Sequence, residues 1–181
     1  MSSGLPVSAI DLRAFVRDVP DFPKPGIIFK DITPLLLDAA ALDAAVAGLA
    51  AFAAPLGIDF VLAAEARGFI LGAALARQLG AGFLPARKPG KLPHETVSAD
   101  YVLEYGVDAL EIHADSLAGA RVLVHDDLLA TGGTAGALCD LVAGLGGEVS
   151  ACAFLVELGF LGGRERLAPR RVHALIDYPP S

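Results

Sequence analysis

The stretch Arg121–Ala137, RVLVHDDLLATGGTAGA, decides the fold of this 181-residue chain. Its aliphatic residues predict a buried strand that ends at Asp126 and Asp127, and the pattern after Ala135 predicts a helix. The turn between the two consists of Ala130, Thr131, Gly132, Gly133 and Thr134. A strand, a glycine-rich turn and a helix N-terminus together are typical of a phosphate site, because backbone N–H groups and the helix dipole both favour an anion.

The turn differs from the other common glycine-rich phosphate loops. A Walker A loop requires a lysine after its last glycine, and none follows Gly133. The glycine spacing also differs from that of the dinucleotide fingerprint. An ordinary strand-to-helix turn, in which an aspartate caps the helix, is the simpler interpretation. Two carboxylates, two threonines and two glycines exceed what a turn requires. We therefore expect phosphate binding, by a ligand that also brings hydroxyl groups or a metal ion to the carboxylates.

The composition limits the class of protein. The chain is 54% hydrophobic with a mean hydropathy of +0.57, but much of this is alanine, and the most apolar stretch, residues 39–56, predicts a packed helix. The N-terminus lacks the pattern of a signal peptide, and the two cysteines, Cys139 and Cys152, suit a reducing compartment. The net charge of −7 argues against nonspecific nucleic-acid binding. We predict a cytoplasmic protein without a membrane or nucleic-acid partner.

Strands and helices alternate along most of the chain. The pattern predicts strands at 60–64, 82–86, 121–126, 147–158 and 171–178, helices at 11–19, 42–56, 69–79 and 135–145, and a hairpin from 101–105 and 109–113. This alternation predicts an α/β fold with a mostly parallel central sheet flanked by helices. Ligands of such sheets bind at the carboxyl ends of strands, where Glu65, Arg67 and the aspartate pair fall. We expect His125 on a strand that faces a helix or an interface.

Two segments before the middle of the chain carry side chains suited to a site. Residues 21–36, DFPKPGIIFKDITPLL, form a proline-rich segment that presents Phe29 to a planar base or, taken alone, packs residues 27–29 into the core. Residues 65–69, EARGF, place Arg67 at a strand-to-helix turn, either in a surface ion pair or as an anion ligand.

Two further segments lie between the predicted strands 82–86 and 121–126. The cations Arg87, Lys88 and Lys91 form either an anion clamp or a solvated basic loop. Glu104, within YVLEYG at 101–106, is either an exposed strand carboxylate or a general acid and base in an apolar hairpin.

In their order along the chain, these five segments resemble those of the adenine phosphoribosyltransferases, a branch of the type I phosphoribosyltransferase family. The resemblance runs from about residue 20 to 167. It implies the type I phosphoribosyltransferase fold as a single domain over residues 1–181, with a small N-terminal hood at about 1–35 and a flexible hairpin lid at about 87–113. It also implies a homodimer that transfers the phosphoribosyl group of phosphoribosyl pyrophosphate (PRPP) to adenine, giving AMP and pyrophosphate. Mg²⁺ would be bound through PRPP, with no direct protein ligand.

The resemblance assigns the phosphate, ribose and base contacts. In the family the two acidic residues hold the ribose hydroxyls and the turn at 130–134 holds the 5′-phosphate. The resemblance implies that Phe29 stacks on the base, while the backbone of Ile28 and Lys30 reads the ring edge and the exocyclic amine.

The remaining roles concern the leaving group and the proton. The resemblance implies that Arg67, Arg87, Lys88 and Lys91 contact pyrophosphate, and leaves open which subunit's site each cation of the 87–91 segment serves. It implies that Glu104 contacts the imidazole edge of the purine and handles its proton, and that Tyr105 belongs to the lid. A strained or cis peptide is expected in the 65–68 loop.

Two alternatives remain open. A sister enzyme that uses another base, such as xanthine, would need a reversed hydrogen-bonding pattern at the backbone of residues 28–30. A transcription regulator can keep this fold and the PRPP motif without catalysis. Glu104, Arg67 and the basic segment, with no added DNA-binding domain, argue against a regulator.

Overall fold

The computed structural model describes residues 10–103, 106–115 and 117–179. The chain divides between Val46 and Ala47 into two compact units. The predicted single domain with an N-terminal hood is not tested by this division and stays a prediction.

The first unit contains a two-stranded antiparallel hairpin followed by helices. A 3-10 turn at Leu12–Phe15 precedes β1 (Arg17–Pro20), which pairs with β2 (Ile28–Asp31), and α1 (Thr33–Leu37) and the start of α2 (Ala39–Ala53) follow. The predicted helix at 11–19 is therefore wrong beyond Phe15. The reason is the pairing with β2, which includes ion pairs across the hairpin and which no local pattern reveals.

The second unit alternates strands and helices as the sequence predicts. After the end of α2 and a 3-10 turn at Ala54–Leu56, the elements are β3 (Phe60–Ala64), α3 (Arg67–Leu79), β4 (Gly82–Ala86), β5 (Thr96–Leu103), β6 (Gly106–His113), β7 (Arg121–Leu129), α4 (Gly133–Gly144), β8 (Glu148–Leu158), a 3-10 turn (Gly159–Leu161), α5 (Gly163–Leu167) and β9 (Val172–Tyr178).

The centre of this unit is a five-stranded sheet in the order β4-β3-β7-β8-β9. Every neighbouring pair of strands in it is parallel, which confirms the predicted parallel sheet. The strands β5 and β6 form a separate antiparallel hairpin. Since β3 and β7 are neighbours, the segments that follow them lie side by side at one edge of the sheet.

Apolar side chains cover both faces of the sheet. Leu123 packs with Leu49 of α2 and Leu75 of α3 on one face, whereas its neighbour Val124 packs with Leu138 of α4 on the other. Successive residues of a strand point to opposite faces, so one continuous apolar run in β7 serves both clusters. These clusters fix the strand ends that carry the candidate site.

Among the described residues, Ala39–Leu56 is the single helical stretch long and apolar enough in composition to cross a membrane, with a mean hydropathy of 1.7. A core helix of a globular protein meets the same criteria. Leu49, Ala50 and Ala53 are at most 6% exposed and belong to the cluster on the sheet. This packing agrees with the predicted packed helix.

Candidate active site

The candidate site is centred on the carboxyl ends of β3 and β7. The register pairs Ala63 with His125, so the turn after β3 lies beside Asp126 and Asp127. The prediction that the strand ends at these aspartates is wrong, because β7 continues to Leu129 and pairs there with Glu157 of β8. The eleven-residue β8 supplies hydrogen-bond partners beyond the point where the local pattern changes.

The two aspartates contact the N-terminus of α3. The Asp127 carboxylate lies 3.1 Å from Nε of Arg67, the first residue of α3. The Asp126 carboxylate accepts a hydrogen bond of 2.9 Å from the backbone N–H of Asp127. It also lies against Gly68, where a Cβ atom would come within 2.8 Å of Asp126 Oδ1. The absence of a side chain at Gly68 therefore lets this helix approach the carboxylate.

Burial controls the charge of this pair. Desolvation raises the pKa of Asp126 well above its usual range, and the adjacent charge of Asp127 raises it further. Desolvation also raises the pKa of Asp127, while the charge of Arg67 opposes that shift. Two neighbouring desolvated carboxylates favour ligands that donate hydrogen bonds, such as the hydroxyls of a sugar. Their role as ribose ligands stays a prediction.

The predicted phosphate turn connects β7 to α4. Gly132 is the N-cap of α4 with φ of +78°, a conformation that favours glycine, and its carbonyl accepts the first helical hydrogen bond, from Gly136 N–H at 2.9 Å. Asp126 and residues 128–135 line a cavity of about 130 Å³ at this helix end. The first N–H groups of a helix lack partners within it, so this cavity suits an anion.

The turn after β3 contains the cis peptide expected from the resemblance, at Glu65–Ala66. Glu65 itself holds the basic segment, since its carboxylate accepts hydrogen bonds of 2.9 Å from Lys88 N–H and from Arg87 Nε. The hydrogen bond from Lys88 N–H and the charge of Arg87 lower the pKa of Glu65. Glu65 is therefore ionised and fixes the basic segment at neutral pH.

A second carboxylate holds the same basic segment from the other side. Glu111 of β6 is 7% exposed, and its carboxylate accepts hydrogen bonds from Gly90 N–H at 2.9 Å and from the Thr96 hydroxyl at 3.1 Å. Its backbone pairs with Arg87 through two hydrogen bonds. No local pattern in β6 indicates that Glu111 faces inward, and sequence reasoning missed both glutamates as structural supports of the clamp.

Two of the three predicted clamp cations, Arg87 and Lys88, have carboxylate partners in this structure. Arg87 pairs with Glu65, and Lys88 Nζ lies 3.1 Å from Asp108 Oδ2. Lys91 lies at the end of the same turn, where its carbonyl accepts a hydrogen bond from Arg87. An anionic ligand would have to compete with these carboxylates for the cations. The contact with pyrophosphate stays a prediction.

The predicted base-recognition residues lie on β2 of the first unit. Ile28 is 56% exposed, the Phe29 ring packs edge-on against Phe22 at 5.2 Å, and Lys30 Nζ lies 2.6 Å from Asp18. Their contact with a base stays a prediction. The predicted catalytic residue Glu104 and the lid residue Tyr105 lie outside the described residues.

Comparison with known proteins identifies the family. Residues 36–174 match the family model of the phosphoribosyl transferase domain. The adenine phosphoribosyltransferase of Methylococcus capsulatus is 59% identical over 168 residues, which are 92% of this chain and 98% of that protein. The chain belongs to the adenine phosphoribosyltransferase family.

Solved structures of adenine phosphoribosyltransferases share the fold. The enzyme of Thermoanaerobacter pseudethanolicus superposes with a TM-score of 0.91 at 51% identity, covering 94% of this chain and 100% of that one. The enzyme of Saccharomyces cerevisiae, in complex with an imino-altritol bisphosphate and adenine, gives a TM-score of 0.87 at 37% identity over 92% and 97% of the two chains. The predicted family and type I phosphoribosyltransferase fold are thus confirmed.

Sequence reasoning missed one further feature of this adenine phosphoribosyltransferase-family chain. Gly163, the first residue of α5, lies against the carbonyl of Ala130 in the predicted phosphate turn. The glycine pair Gly162-Gly163 was the available signal, since it indicates a tight turn or a close backbone approach.

Proposed function

We propose that this protein is an adenine phosphoribosyltransferase of purine salvage, which converts adenine and PRPP to AMP and pyrophosphate. One observation carries the proposal: in a chain of this family, the aspartate pair, Arg67 and the turn at 130–134 occupy adjacent strand ends of one sheet. This juxtaposition offers hydroxyl acceptors, a cation and a helix N-terminus within one site.

Each group has a physical role in the reaction. The bond from C1′ of the ribose to pyrophosphate breaks and a bond to the purine nitrogen forms, through a transition state with positive charge on the ribose. The turn at 130–134 binds the 5′-phosphate, and the aspartates accept hydrogen bonds from the ribose hydroxyls. Because the phosphate lies away from the reacting bond, its binding energy orients C1′.

The cations act on the leaving group. Arg67, Arg87, Lys88 and Lys91 offset the charge that develops on pyrophosphate as it departs. Arg67, Arg87 and Lys88 each have a carboxylate partner in this structure, so the substrate exchanges one set of ion pairs for another. Closure of the hairpin lid would exclude water that hydrolyses PRPP.

We propose Mg²⁺ as the cofactor, held mainly by the substrate. The described residues contain no group of three or more His, Cys, Asp or Glu side chains arranged to hold a metal ion. The donor chemistry fits an ion that takes its ligands from pyrophosphate, ribose hydroxyls and water, next to the two aspartates. When bound, the ion would neutralise charge on the pyrophosphate.

A homodimer and a cytoplasmic location complete the proposal. The family resemblance supports the dimer, and the free cysteines Cys139 and Cys152, both buried, suit a reducing compartment. Light scattering should give a molar mass near twice the 18.6 kDa of the chain. A mass equal to one chain would exclude the dimer.

The decisive test is turnover with each purine. The protein is incubated with PRPP, Mg²⁺ and one base at a time: adenine, guanine, hypoxanthine or xanthine. We expect AMP from adenine and at least about 100-fold lower kcat/KM for the 6-oxo bases, since a site that pairs a substrate amine leaves polar groups unpaired with the others. Product from xanthine alone would favour the sister enzyme, and no AMP would refute the proposal.

The proton-handling role of Glu104 has its own test. Glu104→Gln keeps the size of the side chain and removes its ability to exchange a proton. We expect kcat to fall by roughly 100-fold or more, as is typical for the loss of a general acid or base. An unchanged kcat would refute this role and leave the proposed reaction intact.

A further inference from the structure

A second turn packs directly behind the phosphate turn. It comprises Gly159–Leu161 and the glycine pair that starts α5. A Cβ atom on Gly163 would lie 2.2 Å from the carbonyl oxygen of Ala130 and 2.9 Å from Leu129 Cδ1. A Cβ atom on Gly132 would lie 2.8 Å from the carbonyl oxygen of Gly163. The two backbones are therefore in contact, and neither position has room for a side chain.

An ion pair anchors this second turn to the sheet. Arg164, the residue after Gly163, donates from Nε to Glu157 Oε1 at 3.0 Å, and its second nitrogen forms a still shorter contact with Oε2. Its remaining nitrogen donates to the carbonyl of Val172 at 2.8 Å. The guanidinium thus joins the end of β8 to the start of β9, and such two-pronged pairing fixes orientation as well as distance.

The carboxylate side of this anchor is buried and in register with the site, whereas the Arg164 side chain is half exposed. Glu157 is 4% exposed and pairs across the sheet with Leu129, the residue that precedes the phosphate turn. Leu167, at the other end of α5, is fully buried in the same cluster as Leu129 and Leu138 of α4. The segment 157–167 is therefore held at both ends while Gly163 touches the phosphate turn.

We propose that Gly163 and the Glu157–Arg164 pair are positioning residues that set the backbone of residues 130–132, and with it the affinity for the 5′-phosphate. This inference rests on the proposed function, because it assigns the turn a substrate phosphate. Backbone N–H groups bind an anion only when they converge on it, so a displacement of this turn by a few tenths of an ångström weakens the site.

The test is Gly163→Ala, with Gly144→Ala as the matched control. Gly163 and Gly144 have φ values outside the left-handed region, so alanine is conformationally acceptable at either position. Gly144, at the end of α4, has open space around its Cα. The probes are ribose 5-phosphate, which carries the phosphate assigned to the turn, and pyrophosphate, which the proposed function assigns to the cations. Both are titrated by calorimetry into the folded protein.

For Gly163→Ala we expect at least tenfold weaker binding of ribose 5-phosphate, a similar rise in KM for PRPP, and pyrophosphate binding and KM for adenine within twofold of wild type. Gly144→Ala should match wild type throughout. Ribose 5-phosphate affinity within twofold of wild type, or an equal loss of both probes, would overturn the proposal.

A second variant decides the matter if Gly163→Ala does not fold. Glu157→Gln retains the shape of the side chain and removes its negative charge, and we expect threefold to tenfold weaker ribose 5-phosphate binding, whereas Glu157→Ala should lose more. Unchanged affinity in Glu157→Gln would overturn the proposal. Failure of wild type to form AMP would instead refute the proposed function, so the two failures are distinguishable.

Discussion

Asp126 combines the proposed contact with the ribose hydroxyls with a cost in stability. Its carboxyl group is partly buried next to that of Asp127, and desolvation raises its pKa well above the value of an unfolded chain. The unfolded chain releases this proton near pH 4, whereas the folded chain retains it to higher pH. Stability is therefore lost as the pH rises from about 4 through the raised pKa.

Asp126→Asn should raise stability and lower activity. The amide keeps the shape and the acceptor oxygen toward Asp127 N–H, and removes a buried charge. We expect a gain of about 1 kcal/mol or more in the free energy of unfolding at pH 7.5. We expect kcat/KM for PRPP to fall roughly 100-fold, the scale expected when charged hydrogen bonds to the ribose hydroxyls are lost.

Asp59→Asn is the matched control for this change. Arg121 donates hydrogen bonds that lower the pKa of the Asp59 carboxyl, so its charge is favourable in the folded state. The control should lower stability slightly at pH 7.5 and leave kcat/KM unchanged. A less stable Asp126→Asn protein would show that the buried charge does not destabilise the fold. Both are measured by urea unfolding and steady-state kinetics.

His125 gives stability the opposite dependence on pH. Its ring is fully buried, Nδ1 lies 2.9 Å from the carbonyl of Ala153, and desolvation lowers its pKa to about 4. A Cβ atom on Gly72 of α3 would lie 3.4 Å from Cδ2 of the His125 ring, so the ring faces a helix, as predicted. The unfolded chain takes up a proton below pH 6.5 and the folded chain does not until about pH 4, so stability falls as the pH drops through this window.

His125→Leu should remove this loss of stability. Between pH 7.5 and pH 5 we expect the unfolding free energy of wild type to fall by about 2 kcal/mol more than that of the variant. Urea unfolding at both pH values measures the difference. The aspartates are common to both proteins, so their titration cancels to first order. Parallel pH profiles would contradict the lowered pKa of His125.

At the level of elements, the basic segment 87–91 depends on a strand that is distant in sequence. Glu111→Gln replaces an acceptor of two hydrogen bonds by a group with one acceptor oxygen and one donor nitrogen. One donor, Gly90 N–H or the Thr96 hydroxyl, loses its partner. We expect a loss of about 1–3 kcal/mol in stability and a rise of roughly threefold to tenfold in KM for PRPP.

Glu148→Gln is the control for this element. Glu148 is an exposed residue at the start of β8, and its replacement should change neither stability nor KM measurably. Thermal unfolding and kinetics at saturating adenine measure both variants. If Glu111→Gln keeps the KM of wild type, the segment does not need Glu111 to hold its cations.

The accuracy of each predicted element depends on whether its hydrogen-bond partners can be inferred from the local sequence. The strands at 60–64 and 82–86 match β3 and β4, because each is a short apolar run ended by a turn. β7 extends beyond its predicted end because β8 supplies partners, and α5 was missed because five residues carry no helical period. Local patterns predict elements whose stability is local or which are buried on both faces.

The contacts of the candidate site likewise separate into those that a local pattern indicates and those that it does not. The predicted parallel sheet puts Arg67 and the aspartates at the same edge, and their contact follows once the structure shows that β3 and β7 are neighbours. The contacts of Glu111 with the basic segment and of Gly163 with the phosphate turn join residues far apart in sequence. No period or spacing in one sequence encodes such registers.

For the whole molecule, charge raises the question of how an acidic protein holds an anionic substrate. The net charge is −7, and Arg67, Arg87 and Lys88 are each paired with a carboxylate. Long-range attraction therefore does little for PRPP. Affinity has to come from converging backbone N–H groups, from the exchange of ion pairs and from the proposed Mg²⁺.

The apolar helix at residues 39–56 leads to a prediction about membranes. Eighteen helical residues span about 27 Å, close to the thickness of a bilayer core. Insertion would, however, expose the partners of Leu49 and Ala53 in the sheet cluster and carry Asp43 into the bilayer. A charge at the centre of a membrane helix costs about 2.5–3.5 kcal/mol, which is an upper bound for Asp43, about one turn from the N-terminal end of the stretch.

We therefore expect the protein to remain in the supernatant when neutral or anionic phospholipid vesicles are sedimented. Asp43→Leu removes the charge penalty but leaves the packing of Leu49 and Ala53 intact. If packing decides, this variant also stays in the supernatant under native conditions. Sedimentation of wild type with neutral vesicles would show that the helix leaves the sheet, and sedimentation of Asp43→Leu alone would show that one charge, and not the core, keeps it there.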